Sequence, residues 1–370
     1  MFSCIENYFL HLPLIAPNKS VFASNSLSLM SVTQSARYYS RMKLTRRLGE
    51  TQVASQYPLP VHGSAEWCAL ESGLWQSHID LGDLPPDHII VPSFALVGTE
   101  YQYQFMLQHA GGNNILRPLP AGRDATLFTD HKQNSPALKD QIDCWHSQNS
   151  VTAARLILRV ACDARPSDYL YVVSARPIEL DCSVAPTRSA RLEQPPAISQ
   201  MTAAKDIRHR ICSPTALAMA MAYQQRLSTP RAHAKLWTEL IKGCYDPVTK
   251  AYGMWPQAIY QASQLQCFAA VECSADWSNV EMALLQKTPV ICSIRFERGE
   301  LNTAPLERTG GHLLLVYGLS DDKVLVMDPA AADTLSVARA YDREQFSTAW
   351  LKRRGAAYFF AQTNAAGRTL

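Results

Sequence analysis

Apolar residues in the second half of the chain follow a helical period first and a strand period afterwards. The segment 214–226 has Pro214 just inside its start, where the missing N–H is not needed, and Ala, Leu or Met at 216–222 on every side. A helix that is apolar on all faces is buried at the centre of a domain. Similar patterns predict further helices at 230–242, 255–264, 277–287 and 343–353, and strands at 266–272, 289–296, 312–319, 324–328 and 356–362. We therefore expect an α+β domain over residues 200–370, with helices followed by an antiparallel sheet.

Short extended runs separated by turn residues occupy the region 60–182. The run 88–97 is rich in β-branched and other apolar residues, and 101–107 alternates aromatic with polar residues. The runs 154–161 and 169–176 follow each other across a Pro-Ser-Asp turn, which is typical of a hairpin. Regularly spaced short strands of this kind predict an all-β sandwich domain over residues 58–182.

Two segments lack a hydrophobic period. Residues 183–199 are rich in proline and polar residues, which predicts a linker between the two domains. Residues 1–57 carry six Lys or Arg before position 48 against a single acid, Glu6. Three interpretations are open for this N-terminal segment: it is disordered, it is a targeting segment, or it is non-native sequence before a start at Met42.

The composition is typical of a globular protein and argues against nucleic-acid binding and membrane-spanning classes. The 370 residues are 47% hydrophobic and 18% charged, with a formal net charge of +3, so each half has enough apolar material for a core. The chain has no long Lys/Arg run interleaved with aromatic residues, and nucleic acid is therefore not expected as a partner. It also has no stretch of eighteen uninterrupted apolar residues, so we expect no membrane-spanning helix.

The ten cysteines are scattered, without a CxxC pair or the tight spacing of a disulfide framework or zinc site. Most are expected to be buried thiols of a reducing compartment, which favours a cytoplasmic location. Asp130 and His131 resemble a pair of metal ligands, but no further His or Cys follows at ligand spacing, so a polar turn is the better interpretation. No metal site is expected.

One cysteine stands apart because of its surroundings. Cys212 directly precedes the predicted buried helix, so the free N–H groups and the positive end of the helix dipole favour its thiolate form. A thiolate nucleophile needs a base, and His312 lies in the run Gly-Gly-His-Leu-Leu-Leu-Val-Tyr-Gly at 310–318. The two glycines leave room for close approach, and the apolar residues predict a buried strand. Cys212 and His312 are our candidate nucleophile and base.

Two more residues complete a catalytic set. The strand ending near Leu319 turns through a polar segment and returns as Val324-Leu-Val-Met-Asp-Pro, so a hairpin is expected to bring Asp328 beside His312. A carboxylate in that position accepts the imidazole N–H and stabilises the imidazolium. Gln200, twelve residues before Cys212, is a candidate oxyanion donor together with the Cys212 backbone N–H.

Four motifs follow one another along the chain: Gln200, Ile211-Cys-Ser-Pro-Thr-Ala-Leu-Ala-Met, Gly310-Gly-His-Leu-Leu-Leu-Val-Tyr-Gly and Met327-Asp-Pro. In this order they resemble the motifs of the papain-like peptidases related to bacteriocin-processing, double-glycine leader peptidases. The resemblance covers about residues 198–363. It implies a papain-type fold, cysteine-dependent peptide cleavage and no cofactor, with Cys212 as nucleophile, His312 as base, Asp328 as orienting carboxylate and Gln200 as oxyanion residue.

The chain departs from that family in two ways. The family usually has glycine directly after the nucleophile, where this chain has Ser213. The bacteriocin-processing members are fused to a transporter, but this chain has neither spanning segments nor a phosphate-binding GxxxxGK loop. The transporter role and the substrate of those members are therefore not carried over.

Three functions are compatible with this sequence. A cysteine peptidase acting on a peptide or protein substrate is the first; an acyltransferase or transpeptidase that uses the same acyl-enzyme is the second. The third is a binding protein whose sandwich recognises a polymer or protein partner and whose peptidase half is degenerate. Two nearby clusters have a functional and a structural interpretation. Arg208-His-Arg could attract an acidic substrate, but a solvated loop is the better interpretation. Tyr252-Gly-Met-Trp could line a substrate groove, but packing at a helix start is the better interpretation.

Overall fold

The computed structural model describes residues 43–49, 57–121, 128, 135–178, 180, 188–273, 276–320, 322–352 and 355–362. It is a mixed structure with three antiparallel sheets and five α-helices among these residues. Asp130, His131 and the possible targeting segment before residue 43 lie outside the described residues.

The N-terminal half forms two five-stranded sheets. Its ten strands are β1 Lys43–Leu48, β2 Cys68–Glu71, β3 Leu74–Leu84, β4 His88–Leu96, β5 Gln102–His109, β6 Gly112–Ile115, β7 Leu138–Asp140, β8 Trp145–Ser147, β9 Val151–Ala161 and β10 Tyr169–Pro177. The first sheet has the order β1-β10-β4-β8-β7 and the second the order β2-β3-β9-β5-β6. Inward residues of β4 and β10 join those of β3, β5 and β9 in one apolar cluster that includes Phe94, Tyr103, Leu158 and Tyr171.

The C-terminal half combines five helices with a seven-stranded sheet. The helices are α1 Cys212–Gln224, α2 Pro230–Cys244, α3 Trp255–Gln264, α4 Trp277–Leu285 and α5 Arg343–Ser347. The strands are β11 Ala190–Arg191, β12 Cys267–Glu272, β13 Val290–Phe296, β14 Thr309–Leu319, β15 Lys323–Met327, β16 Ala338–Asp342 and β17 Ala357–Gln362. The sheet order is β12-β17-β13-β14-β15-β16, and β11 pairs with β14. The α-helices predicted at 214–226, 230–242, 255–264 and 277–287 are present with ends shifted by at most two residues, whereas the one predicted at 343–353 is α-helical over Arg343–Ser347 and continues as a π-helix over Thr348–Lys352.

The two halves share a continuous interior. The outer face of β4 and β10 packs on β12, so Val91 and Val172 belong to the same buried cluster as the centre of α1. The backbone N–H groups of Val271 and Cys273 donate to the hydroxyls of Ser93 and Ser174, at 3.0 Å in both cases. The strand at the edge of the C-terminal sheet therefore finds hydrogen-bond partners in the N-terminal half.

An ion pair is buried at the same contact. Arg46 of β1 binds Glu272 with two hydrogen bonds of 2.7 and 2.8 Å, and the Tyr57 hydroxyl donates to the same carboxylate at 2.9 Å. Burial raises the pKa of the Tyr57 hydroxyl well above its ordinary value, so this group acts as a donor. These contacts fix the first strand against the C-terminal sheet.

Two expectations for segments without a hydrophobic period were wrong. Residues 43–48, predicted within the segment 1–57 that was expected to be disordered, targeting or non-native, form β1, because Arg46 pairs with a buried carboxylate and Leu48 enters the core. Residues 190–198, predicted within the linker, belong to the C-terminal half. There β11 pairs with β14, and Ala190, Leu192 and Ile198 are buried.

Among the described residues, no helix has both the length and the apolar character needed to cross a membrane.

Candidate active site

Cys212 is the first residue of α1, the buried helix at the centre of the C-terminal half. All residues from Ser213 to Ala222 are buried, because the helix is apolar on every face and is enclosed by α2, α3 and the sheet. The side chain of Cys212 is only partly covered, whereas Cys244, Cys267, Cys273 and Cys292 are buried. The helix therefore holds one thiol rigidly at the edge of the core.

His312 and Asp328 lie on a hairpin, as the sequence led us to expect. Strand β14 carries His312, β15 pairs with β14 in antiparallel register, and Asp328 follows directly after β15. The imidazole Nε2 lies 2.8 Å from the Asp328 Oδ1, and both side chains are buried. Since Nε2 is engaged by the carboxylate, Nδ1 is the ring nitrogen left to face the Cys212 sulfur, to which the ring is hydrogen-bonded.

The pKa values of the three groups are shifted together. Burial alone would raise the pKa of the Cys212 thiol, but the bond to His312, the imidazolium charge and the N–H groups of Leu313 and Ser213 outweigh burial, and the pKa is lowered. Burial alone would lower the pKa of His312, but the charge and hydrogen bond of Asp328 outweigh it and raise the pKa to about 10. These directions favour a thiolate–imidazolium pair at neutral pH.

A tyrosine that the sequence did not reveal supports the carboxylate. The hydroxyl of Tyr341, on β16, donates to the Asp328 Oδ2 at 2.6 Å, and the Ala330 N–H donates to Oδ1 at 2.9 Å. Burial raises the pKa of Tyr341 and the Asp328 carboxylate raises it further, so the hydroxyl keeps its proton. Burial would raise the pKa of Asp328, but His312, Tyr341 and Ala330 lower it. Asp328 is therefore an ionised group with both oxygens occupied.

Gln200 lies in a single 3₁₀ turn, Gln200–Thr202, and is buried. Its backbone N–H donates to the Pro329 carbonyl at 2.8 Å, and its Nε2 donates to the Arg208 carbonyl at 2.7 Å. Gln200 is thus bound both to the loop before Cys212 and to the residue after Asp328. One hydrogen of Nε2 is used by Arg208, which leaves the second for a further acceptor.

The structure also describes the Tyr252-Gly-Met-Trp and Arg208-His-Arg clusters. Met254 and Trp255 are buried, and Trp255 begins α3, in keeping with a packing role. Arg210 lies over the Tyr252 ring, with its guanidinium carbon 5.7 Å from the ring centroid. Within the described parts of the chain, no group of three His, Cys, Asp or Glu residues is arranged to hold a metal ion.

The comparison with protein families concerns the same region. Residues 193–358, a little under half of the chain, match the family model described as "Peptidase_C39 like family". Residues 193–358 are therefore similar to the C39-like peptidase family, and we refer to them as the C39-like domain. All four predicted site residues and Tyr341 lie inside the matched range of this C39-like domain.

The comparisons with solved structures and with curated proteins do not extend the match to the family model. One similar crystal structure, from Bacillus anthracis, is that of a "putative C39-like peptidase"; the two chains are 16% identical, with a TM-score of 0.36. The similarity covers 48% of this chain and 99% of that chain. A search of curated proteins finds no significant match.

The contact between Tyr341 and Asp328 predicts a measurable effect in the C39-like domain. Tyr341→Phe removes one hydrogen bond to a buried carboxylate, which contributes about 1 kcal/mol or more. Because this carboxylate orients His312, we expect alkylation of Cys212 by iodoacetamide at pH 6.5 to slow by about three- to tenfold. Tyr317→Phe, a buried tyrosine of β14 outside this network, is the matched control and should keep the wild-type rate. Equal rates in all three proteins would exclude a positioning role for Tyr341.

Proposed function

We propose that the C39-like domain is a cysteine peptidase that hydrolyses peptide bonds through Cys212, His312 and Asp328. One observation carries the proposal: a partly accessible thiol is hydrogen-bonded to an imidazole, whose second nitrogen is 2.8 Å from a buried carboxylate. Nucleophile, base and orienting acid occur in this relation in covalent acyl-transfer catalysis. A degenerate site would not be expected to retain all three groups in contact.

The proposed reaction has two halves. The Cys212 thiolate attacks the substrate carbonyl carbon, and the negative charge that develops on the oxygen is stabilised by the second Nε2 hydrogen of Gln200 and the Cys212 N–H. The C–N bond breaks as the His312 imidazolium gives its proton to the departing amine. His312 then takes a proton from water, which attacks the thioester and releases the carboxylic acid and the thiol.

Asp328 and Tyr341 act on this reaction through His312. The carboxylate holds the ring with Nε2 toward itself and Nδ1 toward sulfur, and it stabilises the imidazolium. Tyr341 holds the carboxylate. Apart from the substrate and water, these steps use groups of the chain alone, so we propose a peptidase without a cofactor.

A peptide library derived from a proteome tests the activity without a known substrate. The wild-type protein is expected to generate new peptide termini that mass spectrometry identifies, and Cys212→Ala is expected to lose this cleavage by about a thousandfold or more. Cys68→Ala, which removes an exposed thiol on β2, should cleave as the wild type does. Cleavage by Cys212→Ala at the wild-type rate would contradict the proposal.

Acyl transfer to an amine is the alternative chemistry, because it proceeds through the same thioester. Adding glycinamide to the library reaction distinguishes the two: a hydrolase gives mainly free carboxyl termini, and a transferase gives mainly amidated ones.

We also propose a cytoplasmic location, which the free state of the eight described cysteines supports.

A further inference from the structure

The loop that leads to the nucleophile carries positive charges that no carboxylate of the described residues pairs with. Residues 205–210 read Lys-Asp-Ile-Arg-His-Arg, so three cations and one acid give a net charge of +2 with His209 neutral. Among the described residues, Lys205, Arg208 and Arg210 form no ion pair with a carboxylate. Lys205 and Arg210 are exposed, and Arg208 is half-buried. An anionic group could therefore approach these cations without displacing a carboxylate.

These cations are close to the reacting bond. Arg210 precedes Cys212 by two residues and Arg208 by four, so their Cα atoms lie within roughly 7 and 14 Å of the Cys212 Cα, at about 3.6 Å per residue. An extended substrate advances about 3.3 Å per residue. A substrate side chain within about four residues of the scissile bond can therefore lie about as far from Cys212 as the two arginines do.

Arg210 is also held in place. Its guanidinium donates to the Lys250 carbonyl and lies over the Tyr252 ring. The loop of Lys250 and Tyr252 is shaped by Asp246, a buried carboxylate that accepts hydrogen bonds from the Val248 N–H at 3.0 Å and from Arg117 at 2.8 Å. A guanidinium fixed in this way loses less conformational freedom on binding an anion than one on a free side chain.

The loop is connected to the oxyanion candidate. The Arg208 carbonyl accepts from the Gln200 Nε2 at 2.7 Å, so the backbone that presents the cations also orients this amide. A ligand that fixes the loop would therefore fix the Gln200 side chain at the same time.

We propose that this cationic loop, residues 205–210, selects peptide substrates with an acidic side chain within about four residues of the scissile bond. Arg208 and Arg210 are the specificity-determining residues. The inference rests on the proposed peptidase activity, but the positive charge that it requires can be measured without a substrate.

The first test compares two alkylating reagents that differ in charge. Iodoacetate is an anion and iodoacetamide is neutral, so the ratio of their rates at Cys212 reports the local charge, with His312 common to all variants. We expect the double variant Arg208→Gln/Arg210→Gln to lower this ratio at least threefold at low salt, and 0.5 M NaCl to lower it in the wild type. Arg231→Gln is the control: this exposed arginine of α2 follows the far end of α1, which is about 20 Å long. An unchanged ratio in the double variant would overturn the inference.

The second test uses the peptide library. Wild-type cleavage sites are expected to be enriched in Asp and Glu at one or more positions within four residues of the cut, and the double variant should lose that enrichment while Arg231→Gln keeps it. Cleavage without an acidic preference would overturn the inference and leave the peptidase proposal intact. Absence of cleavage would contradict the peptidase proposal, and the rate ratio would still decide whether the loop attracts anions.

Discussion

Iodoacetamide is expected to alkylate Cys212 at least tenfold faster than Cys68 at pH 6.5. A thiol with the ordinary pKa of 9.0 is on the order of 0.3% ionised at this pH. The lowered pKa of Cys212 makes its thiolate fraction much larger, and the weaker intrinsic nucleophilicity of a less basic thiolate offsets only part of this gain. The pH dependence should follow: an ordinary thiol loses a factor of ten per pH unit below 9, whereas Cys212 keeps its rate until the pH falls to its own lowered pKa.

His312→Ala should slow the alkylation of Cys212 at least tenfold. Without the imidazolium, burial is the largest remaining influence and raises the pKa of the thiol, so the rate profile moves toward alkaline pH. His78→Ala, an exposed histidine of β3, is the matched control. The tryptic peptide 211–226 contains Cys212 as its single cysteine, which makes the measurement by mass spectrometry direct. If Cys212 reacts as slowly as the buried thiols, the assignment of the nucleophile is wrong.

The second large effect concerns stability. Arg46→Met leaves the Glu272 carboxylate buried without its bidentate partner, and removal of one member of a buried pair costs about 3–5 kcal/mol of unfolding free energy. Arg155→Met removes the Arg155–Asp80 pair, also an Arg–carboxylate contact of the N-terminal half but exposed, and should cost less than about 1 kcal/mol. Urea denaturation followed by circular dichroism compares the two variants.

A compensating change separates the ion pair from simple packing. Adding Glu272→Gln to Arg46→Met removes the unpaired charge, so we expect the double variant to recover part of the lost stability. Equal midpoints for Arg46→Met and Arg155→Met would show that the contact between the halves does not depend on this pair.

The elements that local signals specify could be predicted from the sequence. Proline in the first turn marks α2 and α3 at Pro230 and Pro256, and Asp276 caps α4, so these helices were located to within about two residues. The hairpin that joins His312 to Asp328 followed from two apolar runs around a polar turn. Local sequence was sufficient here because each signal lies within a few residues of the element that it sets.

Elements that depend on distant partners were missed. Strand β1 contains two adjacent arginines, and the buried Arg46 pairs with Glu272, which is more than two hundred residues away. Strand β16 pairs with β15 after an irregular segment, so nothing near Tyr341 indicates that its hydroxyl reaches Asp328. The candidate nucleophile, base and acid were therefore found from motifs, whereas the tyrosine that supports them required the three-dimensional structure.

The nucleophile lies in a different layer of the structure from its base, and this arrangement determines how the protein loses activity. Cys212 begins α1, whereas His312 and Asp328 lie together on one hairpin, so the sulfur–imidazole contact crosses the boundary between helix and sheet. A displacement of about 1 Å between these layers would separate sulfur from ring without breaking any strand pairing. Mild heat or low urea should therefore yield a folded but inactive protein. The reactivity of the Cys212 thiol should disappear before the circular dichroism changes, and it should return when the urea is diluted.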